Sequence, residues 1–435
     1  MSSADLDRDI AAVDRHIRDH ADDLRDLAAA LIAFATVSPP GRNTAAAQAF
    51  VAERLRALGC RVEQFDVYPG DPDVVGVLPG TASDAHASLI LNGHIDVAEV
   101  GDPAAWSTPP FVPSVRDGRL FGRGASDMKG GLAAGLFALQ ALQACGVRLP
   151  GDVTFESVIG EEQGEAGTAA ATARGYRADL AVCLDSSGLQ LQGQGGVITG
   201  WIEIRSPATL HDGMRARTIH AGGGVFGASA IEKMAKVIAG LQDLERHWAV
   251  TRSHPGFAPG TTTINPAVIE GGRHPAFIAD RCALWITVHF YPDSTAAQAA
   301  AEVEAHIRAV AAADPWLREH PPTFRWGGKS MMLDRGEVFP PVPLLPDQPG
   351  VRMLAAAHEA VTGGAARLTM SPSVADAGWL ADAGMPTVIY GPGDLSNAHA
   401  PNESVALADL VTASRVIARL GVRWCSLPKE EAAHR

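Results

Sequence analysis

The sequence lacks the marks of several large protein classes. It has no run of about 18 apolar residues, so no membrane-spanning helix is expected. The opening residues Met1-Ser2-Ser3-Ala4-Asp5-Leu6-Asp7 lack the basic stretch and apolar centre of a secretory signal. Cysteine is scarce and dispersed: Cys60, Cys145, Cys183, Cys282 and Cys425 are odd in number and form no CxxC pair. That pattern excludes a disulfide framework and a thiolate metal site, and reads as reduced thiols in a cytoplasmic protein. Positive charge is in deficit, 36 Lys and Arg against 49 Asp and Glu for a net charge of −13. Nucleic acid and anionic membranes reward a basic face, so neither is an expected partner. There is no GxSxG elbow and no GxxxxGK[ST] phosphate loop. Gly222 to Gly227 satisfies GxGxxG on paper, but no strand-helix-strand unit surrounds it.

What is present supports a large folded core. Hydrophobic residues make up 46% and charged residues 20%, and 435 residues suffice for two domains. Ile10, Val13, Ile17, Leu24, Leu27, Leu31 and Ile32 form a helical stripe, and Phe50 to Leu58 repeats it before Gly59. Strand-like runs follow at 61–67, 74–78, 88–92, 153–159 and 180–184, with an Ala/Leu-rich helix at 130–143. Alternating strands and helices predict an α/β layered domain. After Gly195-Gly196 the pattern changes to strands at 200–205, 261–269 and 282–290 and helices at 228–244 and 294–312. This predicts an inserted α+β unit whose exit is the Pro-bearing stretch 314–322. The first domain then resumes with a helix at 351–361, a buried strand at 387–390 and a last helix at 407–420. The segment 339–350 reads as a proline-rich loop, and 429–435 as a frayed end.

Seven side chains near the ends of short apolar runs suit a divalent cation: His94, Asp96, Asp127, Glu161, Glu162, Asp185 and His399. In His94-Ile95-Asp96, residues i and i+2 of an extended chain face the same way. His94 can then bind a metal while Asp96 fixes its ring. Asp127, between glycines in Gly122-Arg123-Gly124-Ala125-Ser126-Asp127-Met128-Lys129-Gly130-Gly131, can bridge two cations or cap the next helix. Glu161 and Glu162 are neighbours, so their carboxylates diverge and suit two tasks, ligand and base. Asp185 ends a strand, and His399 closes a Gly-rich loop that includes Gly393. Each alone is an ordinary solvated turn or cap. Strand ends of an open α/β sheet converge on one crevice, however, and the ordered set points to a hydrolase.

These residues carry a resemblance to a known family. The stretches Gly93-His94-Ile95-Asp96-Val97, Trp106 to Phe111, Gly122 to Gly131, Gly160-Glu161-Glu162, Asp185 and His399-Ala400-Pro401-Asn402-Glu403 resemble the M20 metallopeptidases. That group includes acetylornithine deacetylase, succinyl-diaminopimelate desuccinylase, aminoacylase and glutamate carboxypeptidase. The resemblance implies a zinc-peptidase-like α/β catalytic domain, with a mixed sheet flanked by helices, at 1–195 and 321–435. An inserted α+β lid and dimerisation domain would span 196–320. It implies two divalent ions, usually zinc, with cobalt or manganese as alternatives. Asp127 would bridge them, His94 and Asp185 would hold one, and Glu162 and His399 the other. Glu161 would be the general base, Asp96 would orient His94, and His220 of the lid would stabilise the oxyanion, with His211 nearby as the fallback. Asn265, His289 and Gly393, with His220, would contact substrate, and a homodimer would form through the lid.

The match departs from the family in the lid. Relatives that hold an amino-acid carboxylate carry an arginine three residues before a proline; here His289 precedes Pro292. Ala276 stands near the place of a second lid asparagine, while Asn265 matches a recurring one. Losing a permanently charged bidentate fork is not a conservative change. The expected substrate is therefore a small N-acyl or N-formyl compound, as in the family's pyrimidine deformylase branch. Alternatives are a metallo-aminopeptidase or dipeptidase, towards which Asp185 in place of Glu leans, and an N-acyl-amino-acid carboxypeptidase. A degenerate metal-binding protein without catalysis is the non-enzyme alternative, against which the intact Glu161 counts.

Overall fold

The computed structural model describes residues 2–164 and 167–432, and of residue 220 the backbone alone. The chain divides into two compact units, Met1–Gln194 with Val342–Arg435, and Gly195–Pro341. The second unit therefore ends at Pro341, 21 residues beyond the expected boundary. The reason is strand pairing: Thr323–Trp326 and Val338–Phe339 both lie antiparallel to Gly196–Arg205, the central strand of that unit. These strands are too short to show a period in the sequence. The stretch expected as a linker holds the helix Pro315–Glu319, whose N-cap Asp314 accepts the backbone N–H groups of Trp316 and Leu317. The expected loop 339–350 opens on the end of a strand, and Lys429–Ala432 forms a short helix where fraying was expected. The long N-terminal stripe is two helices, Ser3–Asp19 and Ala21–Ile32, parted at His20.

In the first unit eight strands form one mixed sheet. Their order is Arg61–Tyr68, Asp71–Leu78, Val153–Val158, Leu89–His94, Leu180–Cys183, Thr387–Ile389, Leu191–Gln194 and Leu368–Ser371. The four middle strands, Val153–Val158 to Thr387–Ile389, run parallel, so their C-terminal ends share one edge. Period-two alternation sorts their side chains. Leu89 and Leu91 meet the long helix Lys129–Ala144 and its neighbour Leu407–Trp424 in the main core. Ile90 packs instead with Leu380 and Met385, under the short helix Ala377–Asp382. Asn92 and His94, two and four residues on from Ile90, follow it onto this second face. The long helix approaches closely because Gly131 lacks a side chain: a Cβ there would meet the carbonyl oxygen of Leu184 at 1.8 Å.

The second unit has a five-stranded antiparallel sheet with Ile264–Gly271 at one edge, followed by Arg281–Phe290 and Gly196–Arg205. Helices Ala230–Thr251 and Ala296–Ala312 cover one face through Ile202, Ile204, Leu284, Ile286 and Val288. Every second residue from Cys282 to Phe290 is buried, as a half-covered strand requires. Asp314 lies under this layer with Lys233 Nζ at 2.8 and 2.9 Å and Lys236 Nζ at 2.6 Å.

Candidate metal centre

The common C-terminal edge of the parallel strands gathers the predicted ligands. His94 is the last residue of its strand; Glu161 and Glu162 follow Val158 through Gly160, and Asp185 comes two residues after Cys183. Asp127 stands two residues ahead of the helix Lys129–Ala144, and His399 lies in the loop after Thr387–Ile389. His94, Asp127 and Glu162 place donor atoms within 4.8 Å of one another. The two oxygens of Asp127 face different imidazoles: Oδ1 is 3.1 Å from His94 Nε2, and Oδ2 is 3.3 Å from His399 Nε2. Glu162 Oε2 is 2.9 Å from His399 Nε2, and Glu161 Oε2 is 4.0 Å from His94 Nε2. Asp185 lines one cavity with Asp127, Glu161 and His399.

Asp96 sits differently from the sequence expectation. His94 Nδ1 is 3.0 Å from the main-chain oxygen of Asp96 and 3.6 Å from its carboxylate. That carboxylate accepts the N–H groups of Gly160 at 2.9 Å and Glu162 at 3.2 Å. Asp96 thus fixes the His94 tautomer through its backbone and anchors the Glu161-Glu162 turn through its side chain. Gly393 lies against Ser126, where a Cβ would meet Ser126 Oγ at 2.5 Å, so its bare backbone lets two loops meet. Asn265 and His289 belong to the second unit, in the strands Ile264–Gly271 and Arg281–Phe290. Burial holds the His289 imidazole below its ordinary value. His220 falls in the short turn Ile219–Ala221, and its side chain lies outside the described residues.

Three supporting residues escaped the sequence reading. Glu403 is fully buried; its Oε1 accepts the N–H groups of Ser126 at 2.8 Å and Asp127 at 3.0 Å, and its Oε2 meets Arg123 at 2.5 Å. Arg123 also donates to the carbonyl of His399 at 2.9 Å, so one ion pair holds both the Asp127 and His399 loops. Asp376 is wholly buried just ahead of Ala377–Asp382. The only sequence signal for Glu403 was its place in the motif after His399.

The electrostatics favour cations. Burial pushes Glu162 and Asp185 up to about 7 and Glu161 well above the carboxylate range. Burial would lift Asp127 too, but hydrogen bonds from His399 and His94 hold it well below its ordinary value. His399 is drawn up to about 11 by Asp127 and Glu162. Four carboxylates thus share two imidazoles, and buried charge of one sign is costly until paired. Divalent cations would replace the protons held here, and the mixed imidazole and carboxylate donors suit them.

The comparisons with known proteins agree. The model of peptidase family M20/M25/M40 matches residues 90–422. N-formyl-4-amino-5-aminomethyl-2-methylpyrimidine deformylase of Bacillus subtilis is 54% identical, over 98% of this chain and 100% of the relative. The protein of the same name from Halalkalibacterium halodurans is 55% identical over 95% and 97%. A dinuclear metal-binding M20 peptidase from Bacillus subtilis superposes with a TM-score of 0.64 at 17% identity, over 93% of this chain and 98% of that structure. A likeness at that identity speaks for the shared two-domain fold.

Proposed function

The chain belongs to peptidase family M20/M25/M40 and hydrolyses amide bonds with a divalent metal cofactor; from that premise we propose that it deformylates an N-formyl aminomethylpyrimidine. The near-full-length identity to two deformylases carries this reading. The cavity beside Asp127 supports it, for its lining among the described residues includes no arginine or lysine to hold a substrate carboxylate. His289, where carboxylate-binding relatives have arginine, points the same way.

The donor set suits two ions, zinc first by its mixed nitrogen and oxygen ligands and cobalt or manganese as substitutes. When bound, they supply a water with a pKa near ~7 and a Lewis acid for the carbonyl oxygen. Asp127, whose two oxygens face His94 and His399, would be the carboxylate shared by the ions. His94 and Asp185 would hold one, and Glu162 and His399 the other. Glu161 takes the proton of the attacking water and returns it to the departing nitrogen, a role worth roughly 10²–10⁴-fold. Formamide and water thereby become amine and formate. Bound cations would draw the carboxyl group of Glu161 back towards its ionised form. Glu403 and Arg123 position Asp127, and Asp96 positions the Glu161 turn. His220 is assigned the oxyanion, and Asn265 and His289 the substrate beyond the reacting amide.

The test is a substrate panel on metal-loaded protein. Formate release from the N-formyl aminomethylpyrimidine should exceed turnover of N-acetyl amino acids and dipeptides by at least 100-fold in kcat/KM; the reverse order would sink the reading. We also place a homodimer contact on the edge strand Ile264–Gly271, whose outer side meets no further strand among the described residues and where Val268 and Ile269 are exposed. Ile269→Asp should convert a dimer to monomer in sedimentation; a monomeric parent would exclude it. Five free thiols and no helix among the described residues long and apolar enough to cross a membrane accord with a cytoplasmic setting.

A further inference from the structure

Beside the metal centre the first unit has a cleft of about 60 Å³, open in part to solvent and lined by Asp127, Glu161, Asp185 and His399. The rest of its lining is uncharged: Ser186, Ser371, Ser373, Val374, Ala375, Ile389 and Leu395. Such a volume admits about four waters at roughly 15 Å³ each, against the ~300–1,000 Å³ of an ordinary small-molecule site. The ring of an aromatic amine does not fit inside that volume. Resting on the proposed deformylation, the end of the substrate that enters must then be the acyl end.

The part of this lining around Val374, a wall of the cleft, is braced on both sides. Ser371 ends the strand Leu368–Ser371, which is paired in parallel with Leu191–Gln194, and its Oγ accepts the N–H of Ser373 at 3.1 Å. On the other side Ala375 and Gln194 form a buried reciprocal pair: the Ala375 N–H donates to Gln194 Oε1 at 2.9 Å, and Gln194 Nε2 donates to the Ala375 carbonyl at 3.0 Å. Ala375 is packed with Val342, Ala377 and Ile389. A wall pinned at two points cannot retreat for a longer chain without breaking buried hydrogen bonds.

We propose that the segment Ser371–Ala375, with Val374 at its centre and Gln194 as its brace, limits the acyl group to one carbon. Val374 is a specificity-determining residue, and Gln194 positions it. The formyl hydrogen faces Val374; an acetyl methyl would overlap it.

The experiment compares N-formyl, N-acetyl and N-propionyl derivatives of one amine, using metal-loaded wild type, Val374→Ala, Val374→Phe and Gln194→Ala. Wild type should prefer formyl over acetyl by about 100-fold in kcat/KM, in the range a single extra carbon can give. Val374→Ala should narrow that ratio at least tenfold by gaining on acetyl. Val374→Phe should lose formyl turnover with metal content and Tm unchanged, and Gln194→Ala should shift the ratio in the same direction as Val374→Ala. Wild type treating formyl and acetyl alike, or Val374→Ala lowering both equally, would overturn the wall while leaving deformylation standing. Cleavage of dipeptides with no turnover of any formamide would instead remove the reading on which the wall rests.

Discussion

Two buried carboxylate centres lie in opposite electrostatic conditions. In the second unit Asp314 is held by Lys233 and Lys236 and accepts two backbone N–H groups, so its charge is fully met by the chain. In the first unit Asp127, Glu161, Glu162 and Asp185 crowd around two imidazoles, and the cavity lined by Asp127, Glu161, Asp185 and His399 has no lysine or arginine among its described residues. Arg123 is taken by Glu403 and by main-chain oxygens. The difference separates structure from chemistry. A carboxylate neutralised by its own chain builds a fold, whereas a set left short of positive charge awaits something from outside.

The contrast can be broken or sharpened by four changes, the largest effect first. Glu161→Gln should lower kcat by about 10²–10⁴-fold while metal analysis finds the ions still bound; an active variant would refute its role in proton transfer. Glu403→Gln leaves a single acceptor oxygen to serve Arg123 and the N–H groups of Ser126 and Asp127, and should weaken metal retention about 10–100-fold in competition with a chelator. If retention is unchanged, Glu403 does not position Asp127. Asp314→Asn leaves a buried lysine unmatched and should cost about 3 kcal/mol, seen as a lower Tm, with metal content intact. A loss of metal instead would erase the distinction between the two centres.

The fourth change is pH on metal-free protein. Burial raises Glu156 and Asp376 to about 7, so the folded chain binds these protons more tightly than the unfolded chain does. Their contribution is complete below about pH 4 and fades as pH rises through 7. Asp314 behaves in the opposite sense. Burial would raise it, but hydrogen bonds from Lys233 and Lys236 hold it well below the usual range. Its contribution is complete above about pH 4 and disappears as pH falls through its lowered value. Denaturant titrations at pH 4 and 7 should show the metal-free chain less stable at the higher pH. A rise would contradict the assignment of Glu156 and Asp376.

The sequence carried the centre better than its supports. His94, Glu162 and Asp185 follow strands whose apolar runs are visible by eye, and a parallel sheet must bring such ends together. Asp127 and His399 were legible through glycines that mark tight loops. The work of Glu403 and Asp96 was not, because it consists of accepting backbone N–H groups, and any acidic residue looks alike until the chain is folded. The domain boundary failed for a related reason. Thr323–Trp326 and Val338–Phe339 are strands only because Gly196–Arg205 offers them an edge, a fact with no local signature. The helix Ala230–Thr251 was expected to end at Leu244, but Trp248, fully buried in the second core, carries it a further turn and more.

The clasp between Arg123 and Glu403 joins positions 280 residues apart, with the whole second unit encoded between them. Until ribosomal synthesis has delivered residue 403, Asp127 has no anchor for its N–H and His399 has only just emerged. A nascent chain stalled short of these residues carries His94, Glu162 and Asp185 but lacks His399 and the carboxylate that accepts from the Asp127 N–H, so the gathered cluster is completed only when the last tenth of the polypeptide arrives.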